Sequence, residues 1–235
     1  MSKEVMHQQF YQELLTKIKS GEFKNGEKLP AERTLCDMYN ISRTTVREAL
    51  RNLEIEGYVV RKQGSGSFVQ LKSLERKLEK LYTLRNMFQE QGIKHEVKLL
   101  SFEIIKGDKG IAEHLNLEEG EDVIYMVRLF YAADVPYTIE YTYLPLKLFP
   151  QLTVDMVHNN GLYNTLESMG QKPDSAVETI KAIQITRKEK ELLNLGDDIV
   201  AIETKRMTYS VTDLIEYTKN IIRNDYFVYT VDLTK

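Results

Sequence analysis

Residues 41–70 read ISRTTVREALRNLEIEGYVVRKQGSGSFVQ, and this stretch decides the first half of the fold. Ser42 can cap a helix that continues to Gly57 and buries Val46, Leu50 and Leu53. Its opposite face carries Arg43, Arg47 and Arg51 at four-residue spacing, with Thr44 and Thr45 at the start. After Gly57, the segments YVVRK, QGSG and SFVQ make a two-stranded hairpin around a turn that glycine permits.

Upstream, Phe10, Leu14 and Ile18 recur every four residues beside Tyr11 and Leu15. That is one apolar stripe on a helix, and Gly21 ends it. The turn FKNGEKLP follows, placing Pro30 at the first position of a second helix, AERTLCDMY, expected to bury Leu35 and Met38. Helix, turn, helix and hairpin is the order of a winged helix-turn-helix. A helix fits the major groove, where arginine takes guanine through two hydrogen bonds. A narrow glycine tip enters a groove where a bulkier hairpin would clash. An arginine row alone describes most solvated helix faces; the cap, the preceding helix and the hairpin make this one a DNA reader.

The totals agree. The chain has 235 residues, 42 % of them hydrophobic, enough to bury a proper core. Its net charge of −3 hides an asymmetry: residues 1–72 hold twelve Lys/Arg against nine Asp/Glu, and the remainder twenty against twenty-six. A basic front and an acidic back suggest two modules with different partners. Cys36 is the only cysteine, so no internal disulfide and no cysteine-based zinc cage forms; it reads as a small helix core residue. No apolar signal core and no run of ~20 apolar residues is present, which points to a cytoplasmic protein with no membrane partner.

The segment GEKLPAERTLCDMYNISRTTVREALRNLEIEGYVVRKQGSGSFV resembles the N-terminal domain of GntR-family bacterial transcription regulators. The resemblance implies DNA contacts from Arg33 in the P-[SA]-E-R element, from Ser42, Arg43, Thr44, Thr45 and Arg47 at the third helix, and from Gly66 at the wing tip. Arg51 lies outside the family's usual contact set.

From 71 onward, LKSLERKLEKLYTLRNMFQEQG places Leu71, Leu74, Leu78 and Leu81 at helical spacing, as an interdomain helix or a partly ordered linker. Beyond Gly92 strands alternate with short helices, and an internal repeat appears. FEIIKGDKGIAEHLNL precedes EEGEDVIYMVRLFYAADVPYTIEYT; IKAIQITRKEKELLNL precedes GDDIVAIETKRMTYSVTDLIEYT. Both copies read strand, helix, glycine, strand, turn, strand, and IEYT sets Glu140 and Glu216 at matching positions. Thr186 and Glu189 fit a capping box. Two such halves suggest one antiparallel sheet with a pocket where they meet. Arg128, Glu140, Glu216 and Arg223 are the charged residues that must be paired there or meet a ligand, unless they face water.

This half resembles the effector-binding UTRA domain of the HutC subgroup of GntR regulators, through VRLFYAADVPYTIEYTYLP, GLYNTLESMG, LLNLGDD and IEYTKNIIRNDYFVY. The resemblance implies a chorismate-lyase-like α/β fold and an effector site of Arg128, Glu140, Glu216, Arg223 and Asp225. There are departures. Phe130 stands where the family has a second arginine, Phe227 lacks the hydroxyl often found, and LRNM at 84–87 replaces a Ser/Thr-rich loop, with Arg85 as the substitute.

The expectation is therefore an α+β chain: a winged helix-turn-helix over 1–70, a linker over 71–79 and a UTRA-like effector and dimerisation domain over 80–235. It acts as a repressor on a palindromic operator in double-stranded DNA, as a homodimer, under a small effector such as a sugar phosphate or amino sugar. The rival is an architectural DNA-binding dimer without an effector. No nucleophile motif, P-loop or metal spacing among His7, His95, His114 and His158 supports an enzyme, and no cofactor or metal is expected.

Overall fold

The computed structural model describes residues 3–62, 64–70, 74–77, 83–132, 134–196, 200–225 and 227–230. Cα positions divide the chain into two compact units, Met1–Glu75 with Asn194–Ile199 and Asp225–Val228, and Arg76–Leu193 with Val200–Asn224 and Tyr229–Lys235.

The first unit opens with α1 (Lys3–Lys19), whose stripe of Phe10, Leu14, Leu15 and Ile18 is buried. α2 (Glu32–Tyr39) and α3 (Arg43–Ile55) follow. Ser42 caps α3 by accepting from Thr45 N at 3.2 Å, and Val46, Leu50 and Leu53 lie inward. Two expectations need correction. Met38 is 62 % exposed, because the eight-residue α2 turns only Leu35 fully inward. Pro30 also precedes the cap residue, Ala31, and does not open the helix. The hairpin pairs β1 (Val59–Lys62) with β2 (Gly66–Val69). The turn before α2 adds an unforeseen β-bridge to the hairpin: Lys28 bridges Phe68, and Leu29 N donates to Ser67 O at 2.9 Å.

In the stretch expected as helix or linker, Leu74–Lys77 forms a strand, β3, paired with a late strand near the C-terminus. Leu71, Leu78 and Leu81 lie outside the described residues. The second unit continues with α4 (Leu84–Glu90), β4 (His95–Lys106), α5 (Lys109–Leu115), β5 (Asp122–Ala132) and β6 (Val135–Pro145). Two short helices, α6 (Val154–Asn160) and α7 (Leu162–Ser168), lead into β7 (Ser175–Gln184) and α8 (Arg187–Leu192). Then come β8 (Val200–Ser210), β9 (Asp213–Arg223) and β10 (Phe227–Thr230), the partner of β3.

Six strands form one antiparallel sheet in the order β4-β5-β6-β9-β8-β7. Each repeat copy supplies one half, and the two meet along β6 and β9. There Thr142 pairs with Thr218, the equivalent residue of the other copy. Strand residues alternate faces. On one face α6 and α7 pack through Val157, Leu162 and Leu166 against Ile124, Met126 and Leu144. Elsewhere, Leu115 of α5 packs with Val123 and Tyr217. The capping box of Thr186 and Glu189 is present on α8.

Candidate functional site

In the winged unit, Arg33, Ser42, Arg43, Thr44, Arg47 and Gly66 are all exposed. Arg47 Nε donates to Glu32 Oε2 at 2.8 Å, while its side chain stays 64 % exposed. Thr45 is placed differently: it is buried, and its hydroxyl lies 2.9 Å from Ser42 Oγ, so it completes the cap. At Gly66, φ is +116°, a backbone conformation that calls for glycine; an added Cβ would meet only the flexible end of Lys28, 3.0 Å away at Cε. Arg61 was not singled out from sequence. It donates to Arg47 O at 3.3 Å and pairs with Glu54 at 3.4 Å, which links the wing to α3.

In the second unit a cavity of about 560 Å³ opens on the sheet face beneath α4, α6 and α7. Arg85, Arg128, Glu140 and Glu216 line it together. β5 and β6 set Arg128 opposite Glu140, and Arg128 Nη2 donates to Glu140 in a buried ion pair. The guanidinium also lies over the Phe130 ring, 5.4 Å from its centre. Glu216 sits at the matching position of the second copy but is held differently. Tyr163, Thr208 and Thr218 donate their hydroxyls to it at 3.0, 2.7 and 2.8 Å. Burial, and then the neighbouring Glu216 carboxylate, push the Tyr163 hydroxyl pKa up, so it remains a donor. Arg85 on α4 packs against Gly161, whose added Cβ would lie 3.1 Å from Arg85 Nη1.

Arg223 lies outside this cavity lining: it is fully buried and donates to Leu193 O at 3.2 Å. Asp225 is likewise not among the lining residues, and Phe227 falls on β10. Sequence reasoning missed Arg206, Thr218, Asn220 and Tyr163, all of which line the cavity. Arg206 pairs with Glu178 at 3.5 Å, and Asn220 Nδ2 donates to Thr204 Oγ1 at 3.2 Å. A signal existed: Glu216, Thr218 and Asn220 recur at period two along one strand face. Arg128 Nε and Asn220 Oδ1 are buried without a partner, each at a cost of about 1–3 kcal/mol. Among the described residues, no cluster of three or more His, Cys, Asp or Glu fits a metal ion, and no helix is long and apolar enough to cross a membrane.

A winged helix-turn-helix with an exposed arginine face, followed by a mixed α/β domain with a cavity that charged side chains enter, defines a DNA-binding regulator. Residues 6–69 match the family model for bacterial regulatory proteins, gntR family, and residues 90–228 match the UTRA domain. The chain belongs to the GntR family and carries a UTRA domain.

It is 32 % identical to the HTH-type transcriptional regulator YurK of Bacillus subtilis over 194 residues, covering 81 % of this chain and 80 % of that protein. It is 27 % identical to the B. subtilis repressor NagR over 95 % of this chain and 93 % of NagR. Among solved structures, PhnF from Mycobacterium smegmatis superposes with a TM-score of 0.67 at 26 % identity, covering 95 % of this chain and 98 % of PhnF. These relatives are regulators, and the chain is one by family, not an enzyme.

Proposed function

We propose that the chain is a ligand-responsive repressor of the HutC subgroup that binds a palindromic operator as a homodimer in the cytoplasm. A small hydroxylated metabolite, a sugar phosphate or amino sugar, occupies the cavity and releases the DNA. One observation carries the effector reading. A cavity lined by Arg128, Glu140 and Glu216 lies within the domain that accompanies the DNA-binding module. The names of two relatives point the same way: one is the mannosyl-D-glycerate transport/metabolism system repressor of Escherichia coli, another a probable fructoselysine utilization operon repressor.

The DNA half of the proposal rests on Arg33, Arg43, Thr44 and Arg47, exposed on α2 and α3, with Gly66 at the wing. Arg47 meets base edges and Arg33 the backbone, the division expected where one helix enters the groove and the preceding one crosses it. Thermal unfolding against sugar phosphates, free sugars and amino sugars tests the effector half. A ligand at one hundred times its dissociation constant stabilises the native state by about 2.7 kcal/mol. The same ligand should release operator DNA in a mobility-shift titration. Absence of any shift across the panel removes the effector reading.

A further inference from the structure

Among the buried polar side-chain atoms without a partner, Arg128 Nε and Asn220 Oδ1 belong to residues that line the effector cavity. One is a donor, the other an acceptor. Register sets them in a single row: Arg128 opposite Glu140, Glu140 opposite Asn220, and Asn220 opposite Thr204. Strands lie about 4.8 Å apart, so residues two strands apart are separated by roughly 10 Å. Glu140 stands between them. Asn220 is 6 % exposed, and its Nδ2 is committed to Thr204, which leaves the carboxamide oxygen as the group without a partner.

Charge then sorts the ligand classes. On this face Arg128 pairs with Glu140 and Arg206 with Glu178. Glu216 is bonded by three hydroxyls and feels the charge of Arg206, but makes no ion pair of its own among the described residues. A phosphate seated on the sheet would meet that extra carboxylate. A hydroxyl, amine or amide N–H would instead find acceptors at Asn220 and Glu216. Arg85, exposed and lining the same cavity, is the cation left for an anionic substituent.

We propose that Asn220 reads an O–H or N–H of the effector, which turns a hydroxyl-rich, uncharged or amine-bearing end to the sheet and holds any phosphate away from it. This rests on the effector reading above, and the test separates the two.

Full-length protein is titrated calorimetrically with glucose, glucosamine, N-acetylglucosamine and the 6-phosphate of each. For whichever probes bind the wild type, Asn220→Leu should weaken affinity roughly tenfold, the loss of about one good hydrogen bond, by the same factor for free and phosphorylated forms. Asn220→Asp should shift preference toward glucosamine over glucose. Thr204→Val is the second arm should Asn220→Leu not fold. It keeps the acceptor but frees the carboxamide, and should weaken the same probes by a smaller factor. If Asn220→Leu binds like the wild type, or weakens only the phosphorylated probes, the Asn220 assignment is overturned while the effector reading stands. If no probe binds the wild type, both fall together.

Discussion

Arg47 and Arg128 are the same side chain used in opposite ways. Arg47 projects from α3 with 64 % of its side chain exposed and one carboxylate, Glu32, beside it. Arg128 lies in a sheet interior with 11 % of its side chain exposed, tied to an equally buried Glu140. A cation meant for a polyanion keeps its water until the partner arrives, since exposed pairs contribute about 0–1 kcal/mol. A cation meant for a small ligand is desolvated in advance, and the structure must neutralise it meanwhile. On the proposed function, the position of each charge matches the partner assigned to it.

Substitutions can break or sharpen this contrast. The largest effect is expected from Arg128→Ala, which strands Glu140 as an uncompensated buried charge. It should destabilise the second unit by about 3–5 kcal/mol in chemical denaturation, with operator affinity retained where the protein is folded. The double change Arg128→Met with Glu140→Leu should recover most of that loss and still fail to bind effector. Arg47→Ala should behave in reverse, costing about 1–3 kcal/mol of operator discrimination in binding assays while stability stays within about 0.5 kcal/mol. Equal operator affinity for Arg47→Ala and the wild type would remove Arg47 from the recognition surface. Ser42→Ala should cost about 1 kcal/mol of stability through the lost cap. Glu32→Ala, which only frees Arg47, should be the mildest, below about 1 kcal/mol in stability and weaker still at high salt.

The winged unit was legible because its signals are local. Ser42 three residues before Thr45, Gly57 after Leu53, and glycines between two short β-rich runs each act within one turn of chain. The β-bridge at Lys28 was not legible, because GEKL carries no β-branched pattern and is extended only where it pairs with Phe68. Met38 misled because periodicity marks a face without saying whether a neighbour covers it. In the second unit the repeat announced two halves of one antiparallel sheet, and the fold bears this out. What lies in the cavity was harder. Glu140 and Glu216 stood out by their matching positions, whereas Arg206 and Asn220 required knowing that β8 and β9 turn that face inward. The strand at Leu74–Lys77 depends on a partner some 150 residues later, and no local window contains it.

The seam between the two copies has a mechanical consequence. β6 meets β9 only from Thr138 to Tyr143 against Tyr217 to Ile222, a shorter span than the ladders inside each copy. Glu140 stands on the β6 side of this seam and Glu216 on the β9 side, so a molecule touching both would act as a clasp across the joint between the copies. Its binding energy would then be spent on holding two similar plates at one twist angle.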